Sequence, residues 1–105
     1  MNNNLLQDVT NILQQQKAIS ITTLEIAELT DIADFMLVCN GTSTAHVRGI
    51  SRKIARELKI PGEPKIHMEG EEASEWVLLD LGDIIVNVMT KEMRELYQLE
   101  DLWTK

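Results

Sequence analysis

The chain holds a single cysteine, Cys39, in 105 residues. A lone thiol closes no internal disulfide, so a reducing cytosol is the expected home. No apolar run approaches the roughly 18–20 residues that a membrane helix needs. The opening MNNNLLQDVT lacks the basic and apolar regions of a signal peptide and the Arg-rich, acid-poor cast of a transit peptide. A cytoplasmic protein without membrane contact is therefore expected. Positive charge is also short: 10 Lys and Arg stand against 17 Asp and Glu, for a net charge of −7. Nucleic-acid binders draw most of their affinity from phosphate contacts and are usually basic, so sequence-specific nucleic acid is not an expected partner. With 44% apolar and 26% charged residues, what remains is one ordinary globular domain, 1–105, with room for one core.

The charge is unevenly placed. Residues 43–59 carry Arg48, Arg52, Lys53, Arg56 and Lys59 against one acid, Glu57, whereas 63–105 carry eleven acids and four basic residues. An acidic surface steers association with a basic protein, and it also simply keeps a protein in solution. Basic residues along one helix are more often a solvated face than an RNA contact.

Leu5, Leu6, Val9, Ile12 and Leu13 recur at helical spacing and predict an amphipathic helix over 3–17. SITTLEI, 20–26, is β-branched and reads as a strand, followed by a short polar connection, ELTDIAD. DFMLVCN, 34–40, is a compact apolar run, a candidate central strand. Thr42, Ser43 or Thr44 can cap a helix over 44–59, whose stripe is Val47, Ile50, Ile54 and Leu58 and which Pro61-Gly62 stops. Strand, glycine turn, helix and later strand make a βαβ crossover, so parallel pairing is expected. Residues 61–74 hold both prolines and form the loosest segment, with KIHME a candidate short edge strand. Met93, Leu96, Tyr97, Leu99, Leu102 and Trp103 predict a last helix over 91–103. The order is αββαββα, apart from that edge strand: an α/β fold, a mixed sheet with helices packed on it.

Between them lies EWVLLDLGDIIVNVM, 75–89, a predicted hairpin of strands 76–81 and 84–89 around Gly82-Asp83. The two-residue turn suits type II′, with glycine first at positive φ. Alternation would put Val77, Leu79 and Leu81 on one face, and Trp76, Leu78 and Asp80 on the other. Ile85, Asn87 and Met89 join the second set in one register, and a slip of one residue swaps them. A strand that is apolar on both faces is either the inside of a domain or a docking surface with polar anchors. Trp76 can be core or an interface anchor, because tryptophan buries much area at little entropy cost.

Catalytic chemistry finds little support. Cys39 sits in an apolar strand with no neighbouring base to lower its pKa, the pattern of a structural cysteine. His46 and His67 lack partners at zinc spacing, and Glu69, Glu71 and Glu72 do not follow an EF-hand, so neither metal nor cofactor is expected. Gly41-Thr42-Ser43 opens a helix, where an anion can bind, yet no Walker lysine or G-x-G-x-x-G accompanies it. The turn is similar to the G-S element of nucleotidyltransferases. Those enzymes hold magnesium with paired carboxylates on one strand, and here Asp80 and Asp83 flank a turn instead. A nucleotidyltransferase-like enzyme or nucleotide binder built on this turn stands as the alternative function.

D-F-M-L-V-C-N-G-T-S (34–43), E-G (69–70), E-W-V-L-L-D-L-G-D-I-I-V-N-V-M (75–89) and R-E-L-Y-Q-L-E-D-L-W (94–103) together resemble the ribosomal silencing factor, or Iojap, family over nearly the whole chain. The resemblance implies an α/β sandwich akin to nucleotidyltransferases without their catalytic residues, and a protein that is not an enzyme. It implies binding to the large ribosomal subunit through ribosomal protein L-fourteen, on the face that meets the small subunit. Subunit joining is then blocked and translation repressed when nutrients are scarce. The expected partner-binding residues are Trp76, Leu78 and Asp80, with Gly82 shaping the turn and Asn87 and Met89 on the same patch. Tyr97, Leu99 and Trp103 match the terminal motif, as support for that surface or for the core. A homodimer through the same patch is open. Asn87 replaces the family's frequent histidine, and Phe35 its frequent tyrosine. Asn keeps a donor and an acceptor but cannot gain a charge.

Overall fold

Successive side chains on a strand point to opposite faces, so a strand covered on both sides is apolar throughout. The computed structural model describes residues 3–58 and 66–103. Two of its strands, β2 (Phe35–Gly41) and β5 (Ile84–Thr90), are buried along their length apart from the half-buried Phe35, and are apolar but for Asn40, Asn87 and Thr90. They pair in parallel at the centre of one sheet, Phe35 opposite Ile84 through Gly41 opposite Thr90. β1 (Ile19–Glu25) lies antiparallel outside β2, and β4 (Trp76–Asp80) and β3 (His67–Glu69) add antiparallel outside β5. The sheet order is β1-β2-β5-β4-β3.

The helices are α1 (Asn3–Gln15), α2 (Thr44–Glu57), α3 (Lys91–Tyr97) and α4 (Leu99–Trp103). The expected mixed sheet with helices on it is present, and the short edge strand is formed. Central strand, capped helix and crossover fall where the sequence places them. Ser43 caps α2, its hydroxyl accepting from the His46 N–H at 3.1 Å. The predicted stop at Pro61-Gly62 lies outside the described residues. α1 ends two residues earlier than its apolar pattern predicts, because Lys17 turns left-handed (φ 61°) and the Ala18 N–H reaches back to the Leu13 carbonyl at 2.9 Å.

One expectation needs correction. The last helix is two helices: Gln98 adopts φ 47°, ψ 54° and breaks the run. In a continuous helix residues 94 and 100 would point about 120° apart around the axis. The break brings Glu100 back onto Arg94, its Oε2 accepting from Nη2 at 2.6 Å and Nε at 3.1 Å.

The two faces of the sheet are covered unequally. α1 and α2 close one face completely, packing Leu5, Val9, Ile12, Leu13, Val47, Ile50 and Ile54 onto Leu37, Cys39, Val77, Leu79, Val86 and Val88. Among the described residues the other face is covered by Met93 of α3, Leu99 of α4, and Ile26 and Ala33 from the connection after β1, with Tyr97 of α3 against Trp76. The β4–β3 side of the second face is left least covered, with Trp76 and Leu78 half-buried and His67, Glu69 and Asp80 exposed. Ile32, Leu29, Tyr97, Leu96 and Leu102 remain exposed on the covering segments.

Candidate functional site

Strand register decides what shares the thin face. Trp76 pairs with Met89, Leu78 with Asn87 and Asp80 with Ile85. The hairpin therefore adopts the face assignment expected from alternation, with Val77 and Leu79 turned into the helix-covered core. β3 extends the same surface, Glu69 beside Leu78 and His67 beside Asp80.

The six expected contact residues occupy different depths. Asp80 and Gly82 are exposed, and Trp76 and Leu78 are half-buried. Asn87 is 1% exposed and Met89 fully buried: Met93 of α3, which starts directly after β5, packs on the cluster that holds Met89, and the Trp76 indole bonds Asn87. A partner approaching this face meets Trp76, Leu78 and Asp80; Met89 and Asn87 lie beneath. Gly82 has φ 91°, a conformation that only glycine adopts without strain, and its N–H donates to Asp80 Oδ1 at 2.9 Å. Asp80 thus ties the turn while its carboxylate stays in solvent.

Trp76 is held on two sides. Its indole Nε1–H donates to Asn87 Oδ1 at 2.9 Å, and its ring lies 5.0 Å from that of Tyr97, tilted by 45°. An indole N–H only donates, so the Asn87 amide must present its oxygen there. Asn87 Nδ2 is left buried with no hydrogen-bond partner, at a cost on the order of 1–3 kcal/mol. Tyr97, half exposed, extends the aromatic surface onto α3. Leu99 packs into the core of this face, and the Trp103 side chain lies outside the described residues.

Arg94, which opens the R-E-L-Y-Q-L-E-D-L-W run, anchors the cover of this face. Its Nη1 donates to the Ser20 carbonyl (2.6 Å) and Asn40 Oδ1 (3.0 Å), and its Nη2 to Thr22 Oγ1 (2.9 Å). With Glu100 included, one side chain ties α3 and α4 to β1 and β2. Burial pushes the Glu100 carboxyl up, but its bonds to Arg94 and to its own backbone, with the Arg94 charge, outweigh that and leave it below its ordinary value. A cleft of about 700 Å³ opens beside this hub, lined by Ile19, Lys91, Glu95 and Asp101 among others.

The Gly41-Thr42-Ser43 turn spends its donors internally. The Thr42 N–H donates to His46 Nδ1 at 2.9 Å, and the opposite ring nitrogen, Nε2, therefore carries the proton it shares with the Gln16 carbonyl at 2.7 Å. A Cβ on Gly41 would stand 3.0 Å from that Nδ1 and 3.2 Å from the Val47 nitrogen, so glycine lets the imidazole close over the turn. Cys39 is buried, and burial pushes its thiol up to about 12 against a smaller pull from Arg94. Among the described residues no cluster of three His, Cys, Asp or Glu could hold a metal, and no helix is long and apolar enough to cross a membrane.

The family model described as ribosomal silencing factor during starvation matches residues 1–105. A Halalkalibacterium halodurans protein named ribosomal silencing factor RsfS is 37% identical over 102 residues, covering 97% of this chain and 87% of that one. A Mus musculus protein named mitochondrial assembly of ribosomal large subunit protein 1 is 31% identical over 97 residues, covering 90% of this chain and 42% of its own. A crystal structure of a Chromobacterium violaceum protein superposes with a TM-score of 0.91 at 32% identity, over 98% of this chain and 86% of the other.

Proposed function

The chain belongs to the ribosomal silencing factor family, and on that premise we propose that it represses translation by docking on the large ribosomal subunit and keeping the small subunit away. It acts in the cytoplasm and without catalysing a reaction. The contact is ribosomal protein L-fourteen, met by Trp76, Leu78 and Asp80 with Tyr97 at their side. Gly82 sets the turn that presents Asp80, and Asn87 and Met89 support the contact from below. The mechanism is steric: a body fixed over part of the joining face leaves no room for the second subunit.

The observation that carries this reading is the half-covered aromatic surface of Trp76 and Tyr97 around Leu78, with Glu69 and Asp80 on the same face. An apolar centre with an acidic rim fits a basic protein. Arg48, Arg52, Lys53 and Arg56 belong instead to α2, which packs against the opposite face. The large-subunit name of the mouse relative points the same way. A second copy of the chain would meet the same patch, so dimer formation competes with docking. Nucleotide binding at the Gly41 turn has no comparable support, since the Thr42 amide is occupied by His46.

The test is co-sedimentation with isolated ribosomal subunits on a sucrose gradient. The expected result is migration with the large subunit alone, and loss of joined ribosomes as protein is added. Absence from both subunits would overturn the reading.

A further inference from the structure

Resting on the docking reading, we infer that Asn87 is a specificity-determining residue of the patch: its Nδ2 is a donor kept for a main-chain carbonyl of the docked protein, which reaches it as the Trp76 indole turns aside.

Asn87 sits in the middle of the thin face. Leu78 lies opposite it on β4, Val38 beside it on β2, and Trp76 one pair along. Its amide has one oxygen and one nitrogen to satisfy. The oxygen is taken by the Trp76 indole at 2.9 Å. The nitrogen is the one buried side-chain polar atom without a hydrogen bond among the described residues. A leucine or valine would leave no unmet amide donor, but it would take away the acceptor of the Trp76 indole. The Trp76 indole accounts for the amide oxygen, and a bond made in the complex accounts for the nitrogen.

The cover over it is a movable one. Trp76 is half-buried, and it is held by one hydrogen bond and one tilted ring contact. Turning the indole outward uncovers both ends of the Asn87 amide. It also lets the ring lie across the partner's surface, the usual role of an interface tryptophan. The acceptor is neutral because Glu69 and Asp80 share this face; a carboxylate or a phosphate would meet like charge in a partly dry site. A peptide carbonyl carries no such penalty.

The experiment compares large-subunit binding and thermal stability of the full chain and its variants, with isolated large ribosomal subunits as the probe. Asn87→Leu keeps a branched side chain of the same number of heavy atoms, and removes both the unmet donor and the acceptor of the Trp76 indole. The relieved donor and the lost Trp76 bond offset each other, so the expected result is a melting temperature within a few degrees of wild type, on the order of the value of one hydrogen bond, together with affinity lowered by about tenfold. Asn87→Val, suited to a strand, gives the same result if the leucine variant does not fold. Asn87→His, which can accept from the indole with one ring nitrogen and donate with the other, is expected to bind within about threefold of wild type. Wild type that binds while folded Asn87→Leu and Asn87→Val bind equally well would overturn the role of Asn87 alone. Wild type that does not sediment with the large subunit would overturn the docking reading and this inference with it.

Discussion

Arg94 and Glu100 are six residues apart and meet across a broken helix, two guanidinium nitrogens converging on one carboxylate oxygen. The pair is mostly buried, with the Arg94 side chain 12% exposed and that of Glu100 28%. Removing one member of such a pair costs more than the pair is worth, because the other keeps its desolvation without its partner. Arg94→Met also strands the Ser20 carbonyl, Asn40 and Thr22. The expected loss is about 2–3 kcal/mol, a fall in melting temperature of roughly 10–20 °C for a domain of this size. Arg94→Lys recovers little, since one ammonium cannot span that fork of acceptors. Thermal unfolding followed by circular dichroism checks both variants.

The same pair sets a pH dependence. The folded-state pKa of Glu100 lies below its ordinary value of 4.5. A depressed carboxylate contributes stability that is fully present above the unfolded-state value and is lost as pH falls through the folded-state value. Wild type should therefore exceed Glu100→Gln in stability at pH 7. The gap should begin to close near pH 4.5 and vanish further into acid. Denaturant titrations from pH 7 to pH 3 measure it, and a gap that is constant over that range contradicts the assignment.

Cys39 gives a cleaner readout of the core. Its thiol is pushed up to about 12 from an ordinary 9.0, first by burial, with Arg94 pulling slightly the other way. Only the thiolate reacts with alkylating reagents. Native protein at pH 8 should label far more slowly than unfolded protein, at a rate set by transient opening. Because the folded value is raised, stability is unaffected below pH 9 and declines as pH climbs from about 9 toward 12. Labelling kinetics with and without denaturant test the first point. Fast labelling of native Cys39 would contradict its burial.

Much of this arrangement is legible in the residues, for physical reasons that can be named. DFMLVCN and IIVNVM are apolar on both sides, and only a central strand buries both sides; β2 and β5 are central. Alternation in WVLLD, with a glycine-led turn, assigns Trp76, Leu78 and Asp80 to one face, as the pairing with Met89, Asn87 and Ile85 has it. Depth is what alternation does not carry. Met89 and Asn87 share the face of Trp76 but are buried, Met89 in the cluster that Met93 of α3 joins and Asn87 behind the Trp76 indole, a tertiary packing that no strand period encodes. The break at Gln98 is hidden likewise, since Met93, Leu96, Tyr97 and Leu99 keep helical spacing while the cause sits in Arg94 and its partners some 54 to 74 positions away. Leu29 and Ile32, exposed on the connection after β1, escaped notice because that stretch reads as polar overall.

The sharpest mutational contrast lies between two residues that face each other across the hairpin. Trp76 is half-exposed and Met89, its partner in the pairing, is fully buried. Trp76→Glu places a carboxylate at the rim, where it reaches water. It loses the Asn87 bond and the Tyr97 contact, about 1–2 kcal/mol together, and the fold survives. Met89→Ala opens a cavity under α3 and costs about 2–5 kcal/mol. If the patch is the docking surface, the less destabilising variant is the one that abolishes large-subunit binding. Trp76→Glu should lower affinity by at least about thirtyfold, the level of an interface hot spot. Met89→Ala, assayed well below its melting temperature, should bind within a few-fold of wild type. Sedimentation with large subunits, paired with melting curves of the free variants, separates the two effects. A folded Trp76→Glu variant that still co-sediments normally would move the contact elsewhere on the molecule, because no other route lets a charge at that position go unfelt.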